Sequence, residues 1–264
     1  MSTGIVLFPN PHAVNRVDEV VAQARRAYDL GVRQVWLSQQ NDHDAIALAA
    51  VVGAAVPGLG VGTSVVPINP RHPLIVASLA QTAQAASHGN FSLGLGLGGH
   101  EPERQAFGMS WPNTITRLRE HLTVLRSIFD TGAVDFSGDE ITAQPGWPVR
   151  GPGGTPVPVF VAAMGPKALR VGGELADGTL PYLAGPRTIA EFIEPVIAKS
   201  AADAGRPKPG LASAADLAAV GSAESVRRQL QSYLDAGATD VVLSGLAWSD
   251  AARAEELWAV AASL

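Results

Sequence analysis

Glycines, an imidazole and a carboxylate stand together where Phe91-Ser-Leu-Gly-Leu-Gly-Leu-Gly-Gly-His100 runs into Glu101. Glycine at every second position strips one face of a strand of side chains, so something bulky can lie against the backbone. The chemistry this suits is a flat ligand held at the carboxyl end of a buried strand. His100 would then stand beside it as a group that titrates near neutral pH, the candidate acid or base. The same small residues would equally admit a packed helix, and the segment alone does not choose. A second signal is Ala162-Ala-Met-Gly-Pro166, set between a strand pattern and a helix pattern. Pro166 suits a first helical position and Gly165 permits close approach. The turn therefore either offers main-chain N–H groups to a phosphate or is an ordinary strand-to-helix loop.

Other reactive types fall at the ends of predicted strands. Asp42, His43, Asp44, His72, His100 and Glu101 are metal-ligand types. No helix carries them at tight ligand spacing, so each reads as a solvated or hydrogen-bonded loop residue and no metal is expected. Ser38 and Ser64 lack a nucleophile-elbow context, which argues against a Ser-His-Asp hydrolase. Lys167 is either a phosphate partner or a solvated lysine in a first helical turn. Trp111 and Trp147 either wall a pocket or serve packing.

The elements that must position these groups follow from periodicity. Strands are predicted at Ile5–Phe8, Gln34–Ser38, Leu59–Val66, Phe91–Gly98, Val159–Ala163, Gly178–Leu183 and Asp240–Ser244. Helical patterns lie between them, and Asp135–Trp147 reads as a small hairpin outside the main architecture. Asp29-Leu-Gly-Val-Arg-Gln-Val-Trp-Leu-Ser38 echoes Asp235-Ala-Gly-Ala-Thr-Asp-Val-Val-Leu-Ser244, each a helix end, a glycine cap and an incoming strand. The reading is one α/β domain of the (β/α)₈ type, with an insertion around 131–156. Only seven strands are counted. The interval Gly205–Ser222 is too short for a strand and its crossover helix, which take on the order of 30 residues. The seventh strand–helix unit is therefore expected to be lacking, with a missing segment near 209–210.

Composition removes several function classes. Among 264 residues there is no cysteine, so thiolate chemistry, disulfides and cysteine-held zinc are excluded. The net charge is −5 with no basic run, which argues against nucleic acid as a partner. No apolar run reaches the roughly 18 residues of a membrane span, and the start lacks a signal-peptide pattern. A soluble, cytoplasmic protein is expected.

Several motifs in order carry a resemblance: Gly62-Thr-Ser-Val-Val-Pro67, Pro70-Arg-His-Pro73, Gln81-Thr-Ala-Gln84, Phe91-Ser-Leu-Gly-Leu-Gly96, Ala162-Ala-Met-Gly-Pro166 and Glu174-Leu-Ala-Asp-Gly178. Together they resemble the bacterial luciferase-like flavin monooxygenase superfamily, and within it the actinobacterial oxidoreductases that use the deazaflavin coenzyme F-420. The resemblance implies a (β/α)₈ TIM barrel with the ring at its carboxyl-end mouth. It implies a non-prolyl cis peptide at Ser64-Val65 behind the ring, with Leu97, Gly98 and Gly99 lining it. Ala163, Met164, Gly165 and Pro166 would hold the phosphate, and Pro181 and Tyr182 would lie close by. Gln39 and His100 would be the polar groups near the reactive ring. The implied activity is hydride exchange between coenzyme F-420 and a small organic substrate. FMN is the rival cofactor, and a non-catalytic cofactor-binding barrel is the reading from another class. A homodimer is a further implication. One departure is Gly99, where some deazaflavin dehydrogenases carry a catalytic acid; His100 and Glu101 are the nearest replacements.

Overall fold

A computed structural model describes residues 2–10, 12–98, 101–108, 113–214, 222–244 and 251–263. Strands β1 (Ser2–Leu7), β2 (Gln34–Leu37), β3 (Gly60–Thr63), β4 (Val66–Pro67), β5 (Phe91–Gly96), β8 (Val159–Ala162), β9 (Gly178–Thr179), β10 (Gly210–Ala214) and β11 (Asp240–Leu243) run in the order β3-β2-β1-β11-β10-β9-β8-β5-β4. A further β3–β5 pairing closes the ring. All these pairings are parallel. Because β3 and β4 are two halves of one stave, the sheet is an eight-strand closed barrel.

The seventh strand is present, contrary to the sequence count. It is β10, which pairs with β9 through Gly210↔Gly178 and Leu211↔Thr179 and with β11 through Ala212↔Asp240. The unit is then completed by the helix Ala223–Asp235, α9. Gly-Leu-Ala-Ser-Ala has no β-branched residue and follows a Pro/Gly-rich stretch, so its local signal is that of a loop. The strand is made by its two neighbours rather than by its own propensity.

The other helices follow their strands: α1 (Arg16–Asp29), α2 (Ala45–Ala55), α3 (Pro73–Ala86), α4 (Glu101–Phe107), α5 (Thr114–Thr131), α6 (Pro166–Leu175), α7 (Pro186–Thr188), α8 (Glu194–Asp203) and α10 (Ala251–Ala262). One π-helical turn, Ile189–Ile193, joins α7 to α8. No helix among the described residues is long and apolar enough to cross a membrane.

Strand alternation sorts the side chains into two cores. Ile5, Leu7, Val35, Leu37, Leu93, Leu95, Val159 and Val161 face outward into the main core with the helices. Trp36, Leu180, Ala212 and Val242 form a separate cluster in the lumen, with Val6, Val65, Phe160 and Ala162 against it. Trp36 and Phe160 meet edge to face, centroids 5.9 Å apart at 86°. Glycines on neighbouring strands make room for them. A β-carbon on Gly62 would stand 2.6 Å from the Trp36 ring, and one on Gly178 would stand 2.4 Å from Phe160. A cavity of about 100 Å³ lies toward the amino ends of the strands, between Gln34, Ser92 and Asp240, at the opposite end from the mouth.

Two carboxylates fasten the frame. Asp177, at the entrance to β9, accepts from Val159 N at 2.8 Å, Arg126 Nη1 at 3.1 Å and Arg206 Nη2 at 3.0 Å. Outside the barrel, β6 (Phe136–Ser137) and β7 (Thr142–Ala143) form the antiparallel hairpin. Buried Glu120 of α5 holds its turn by accepting the amides of Asp139, Glu140 and Ile141 at 2.8, 2.9 and 2.8 Å.

Candidate active site at the carboxyl mouth

Strand β2 delivers a loop whose polar side chains are spent on one another. Gln39 Nε2 donates to the carbonyls of Gln40 (2.6 Å) and His43 (2.9 Å). Its Oε1 accepts from Ala45 N at 3.1 Å and from Arg71 Nη2 at 3.0 Å. Arg71 also pairs with Asp44 at 2.7 Å, and Asp44 caps α2 through Ala47 N at 2.8 Å. Burial opposes ionisation of Asp44, but the Ala47 amide and the Arg71 guanidinium outweigh it and hold its carboxyl below the usual range. Asp42 pairs with Arg16 and sits 2.8 Å from His43 Nδ1. Burial, and then the Arg16 charge, push the His43 imidazole down. Asp42, His43, Asp44, Gln39 and Arg71 thus form one network that sets the loop. His72 caps α3, accepting from Leu74 N at 3.2 Å, while its Nε2 meets the Thr142 carbonyl at 2.9 Å.

Between β3 and β4 the Ser64–Val65 peptide bond is cis. Ser38 Oγ donates to the Ser64 carbonyl at 2.8 Å. The same bend corrects the reading of the glycine run. A β-carbon on Gly94 would stand 1.8 Å from the Thr63 carbonyl and 2.8 Å from Leu180, and one on Gly96 would meet Val65 at 2.5 Å. Protein atoms fill the face these glycines leave. The hydroxyl of Thr63 locks the approach, donating to Gly94 O and accepting Gly94 N, both at 2.9 Å. The bare face at Gly94 and Gly96 accommodates the bent neighbouring strand, not a ligand and not a helix.

Leu97 and Gly98 are half-buried where β5 ends, and Gly98 turns the chain with φ of +63°. Gly99 and His100 lie outside the described residues, as does Trp111. Ala163 is buried, whereas Met164, Gly165, Pro166 and Lys167 are exposed. No side chain caps α6 at Gly165, and the space a β-carbon would enter there is empty. Pro166 has no amide hydrogen, so the helix presents its next free N–H groups and its positive end to solvent. Pro181 is buried. Tyr182 (60% exposed), Leu183 (45%) and Met164 (41%) give the opening an apolar rim. Met164 and Tyr182 each stand three residues past the paired Val161 and Thr179, in the loops that leave the carboxyl ends of β8 and β9. Trp147 is 72% exposed beyond the hairpin.

Sequence reasoning singled out the turn at Met164 and the β5 end. It missed Thr63, Asn69, Arg117 and the bonding role of Arg71. Their partners lie 27 to 48 residues away, and nothing local announces them.

The barrel fold has known counterparts. The family model described as luciferase-like monooxygenase matches residues 1–261. The chain belongs to the luciferase-like monooxygenase family. A 5,10-methylenetetrahydromethanopterin reductase of Methanolobus tindarius is 28% identical over 266 residues, spanning 97% of this chain and 78% of the relative. Among solved structures, the coenzyme F420-dependent tetrahydromethanopterin reductase of Methanopyrus kandleri superposes with a TM-score of 0.83 at 19% identity, over 98% of this chain and 97% of that one. The FMN-bound oxygenating constituent of 3,6-diketocamphane monooxygenase from Pseudomonas putida gives a TM-score of 0.79 at 14% identity, over 98% and 96%. Solved structures that share this fold thus include one described as coenzyme F420-dependent and one in complex with FMN.

Proposed function

We propose that the chain is an oxidoreductase that transfers hydride between coenzyme F420 and a small organic substrate. The observation that carries this reading is the uncapped, solvent-open amino terminus of α6 beside an apolar mouth. An anionic tail and a planar apolar ring need those two surfaces side by side. The likeness in sequence to a methylenetetrahydromethanopterin reductase, and in fold to an F420-dependent one, supports the deazaflavin over FMN.

In this reading Ala163, Met164, Gly165 and Pro166 shape the turn, and the free amides behind Pro166 hold the phosphate. Leu97, Gly98 and Gly99 lie along the ring, with Ser64 and Val65 behind it and Pro181 and Tyr182 at its side. His100 is the acid/base, and Gln39 is a positioning residue that fixes the β2 loop. When bound, the coenzyme supplies the hydride chemistry, while the chain binds, orients and excludes water. Met164, Tyr182 and Leu183 favour a fairly apolar substrate.

Titration of the purified protein with F420 and with FMN, read by fluorescence quenching, tests this. F420 is expected to bind more tightly. Gly165→Asp places a carboxylate in open space at the helix end, where φ of −80° accommodates any residue. It is expected to weaken F420 about tenfold or more, with Tm unchanged or slightly raised because an aspartate at this position also caps the helix. Binding of neither cofactor, or an inert Gly165→Asp, defeats the reading. Tight binding with no hydride transfer across a substrate panel leaves a cofactor carrier.

A further inference from the structure

Behind the mouth lies a buried polar side chain that the proposed function does not use. Asn69 follows β4 and is 1% exposed. Just before it, Ile68 gives its main-chain N–H to the Gly96 carbonyl at 3.0 Å. The ladder between β4 and β5 cannot continue in the same way, because residue 70 is proline and has no amide hydrogen. The Asn69 side chain supplies a donor in its place, Nδ2 to the Leu97 carbonyl at 2.7 Å. It does so where β5 leaves the sheet and the chain swings through Gly98. Asn69 is held in turn, since Arg117 Nη2 of α5 donates to its main-chain carbonyl at 3.1 Å.

Stability alone does not select this arrangement. Asn69 Oδ1, Arg117 Nε and both ring nitrogens of the fully buried His121, one helical turn past Arg117, have no hydrogen-bond partner. An apolar side chain at 69 would remove the orphan Oδ1 but would also take the donor from the Leu97 carbonyl, so the amide's contribution is that one N–H.

We propose that Asn69 is a positioning residue for the mouth: it fixes the Leu97–Gly98 turn through the Leu97 carbonyl, and Arg117 fixes Asn69. The effect on coenzyme binding rests on the function proposed above, in which that turn lies along the ring; the hold on the turn does not.

Asn69→Asp keeps the shape and replaces the donor by an acceptor. Asn69→Leu repeats the test without a charge. In the protein without cofactor, hydrogen exchange of peptides covering residues 95–98 is expected to quicken roughly fivefold or more in both variants, with peptides of β1 and β11 unchanged. F420 is expected to bind about tenfold more weakly, with an altered absorption band for the bound coenzyme. Asp177→Asn, at the amino ends of the strands, serves as the control: it lowers Tm but leaves affinity and band shape as in the wild type. Unchanged exchange at 95–98, or equal quickening in β1, overturns the proposal. If the wild type binds neither cofactor, the functional reading falls while the exchange result still decides the role of Asn69.

Discussion

At Gly94 a single added methyl would collide with main chain, whereas at Gly165 it would meet nothing. The Thr63 carbonyl stands 1.8 Å from the first position, and the second is open within 4 Å. Gly94→Ala is therefore expected to cost at least about 3 kcal/mol or to prevent folding, because a strand must move to relieve it. Urea denaturation of the two alanine variants checks this, and similar midpoints would contradict it. His121 gives a second residue-level expectation. Burial pushes its imidazole down from 6.5 to about 3, and the charges of Arg117 and His72 push the same way. The folded protein keeps this ring neutral while the unfolded chain protonates it below 6.5. Stability from this group is thus complete above that value and is lost as pH falls toward 3. The slope approaches about 1.4 kcal/mol per pH unit. His121→Leu removes the slope, and with two unpartnered nitrogens gone it should not weaken the protein at pH near 7 by more than about 1 kcal/mol. Urea titrations between roughly pH 7 and 5 measure it, and parallel lines for both proteins would refute it. Neither residue was legible beforehand. The glycine run announced a bare face, but the carbonyl that fills it comes from Thr63, 31 residues earlier. His121 reads simply as one of several polar letters on an amphipathic helix.

At the level of elements, the hairpin and α5 are coupled through Glu120. Glu120→Ala would leave three amides without a partner, so a loss of about 2–4 kcal/mol is expected. Hydrogen exchange should quicken first at 136–143, and a uniform change over the barrel would argue against a local latch. Most helices and strands were readable from periodicity alone, because their outward faces carry Val, Ile and Leu against the helices. The hairpin was readable too, from its short alternation. What resisted was β10, where Leu211 is the only large apolar residue in Gly-Leu-Ala-Ser-Ala. Its strand character comes from partners: Thr239 N donates to the Leu211 carbonyl at 2.9 Å, and Thr239 Oγ1 accepts Leu211 N at 3.0 Å. The mouth was legible at the Met164 turn, where chain order suffices. It was not legible around Asn69 and Arg71, whose significance depends on which loops the closed barrel brings together.

On the scale of the whole molecule, the pairing of β1 with β11 joins the strands nearest the two ends of the chain, Ser2 opposite Asp240 and Ile5 opposite Leu243. A closed sheet has no edge at which to fray, so damage at this seam should be felt everywhere. Val241→Pro removes a ladder donor in β11, and protection is expected to fall in β5 on the far side as well as in β1. Loss confined to β1 and β11 would show that the barrel tolerates an open seam. The aromatic pair in the lumen has a different consequence. With Trp36 and Phe160 wedged crosswise between glycines, the barrel is a cup and not a pipe. A molecule bound at the carboxyl end would have no route through the lumen, so it would have to leave from the side on which it arrived.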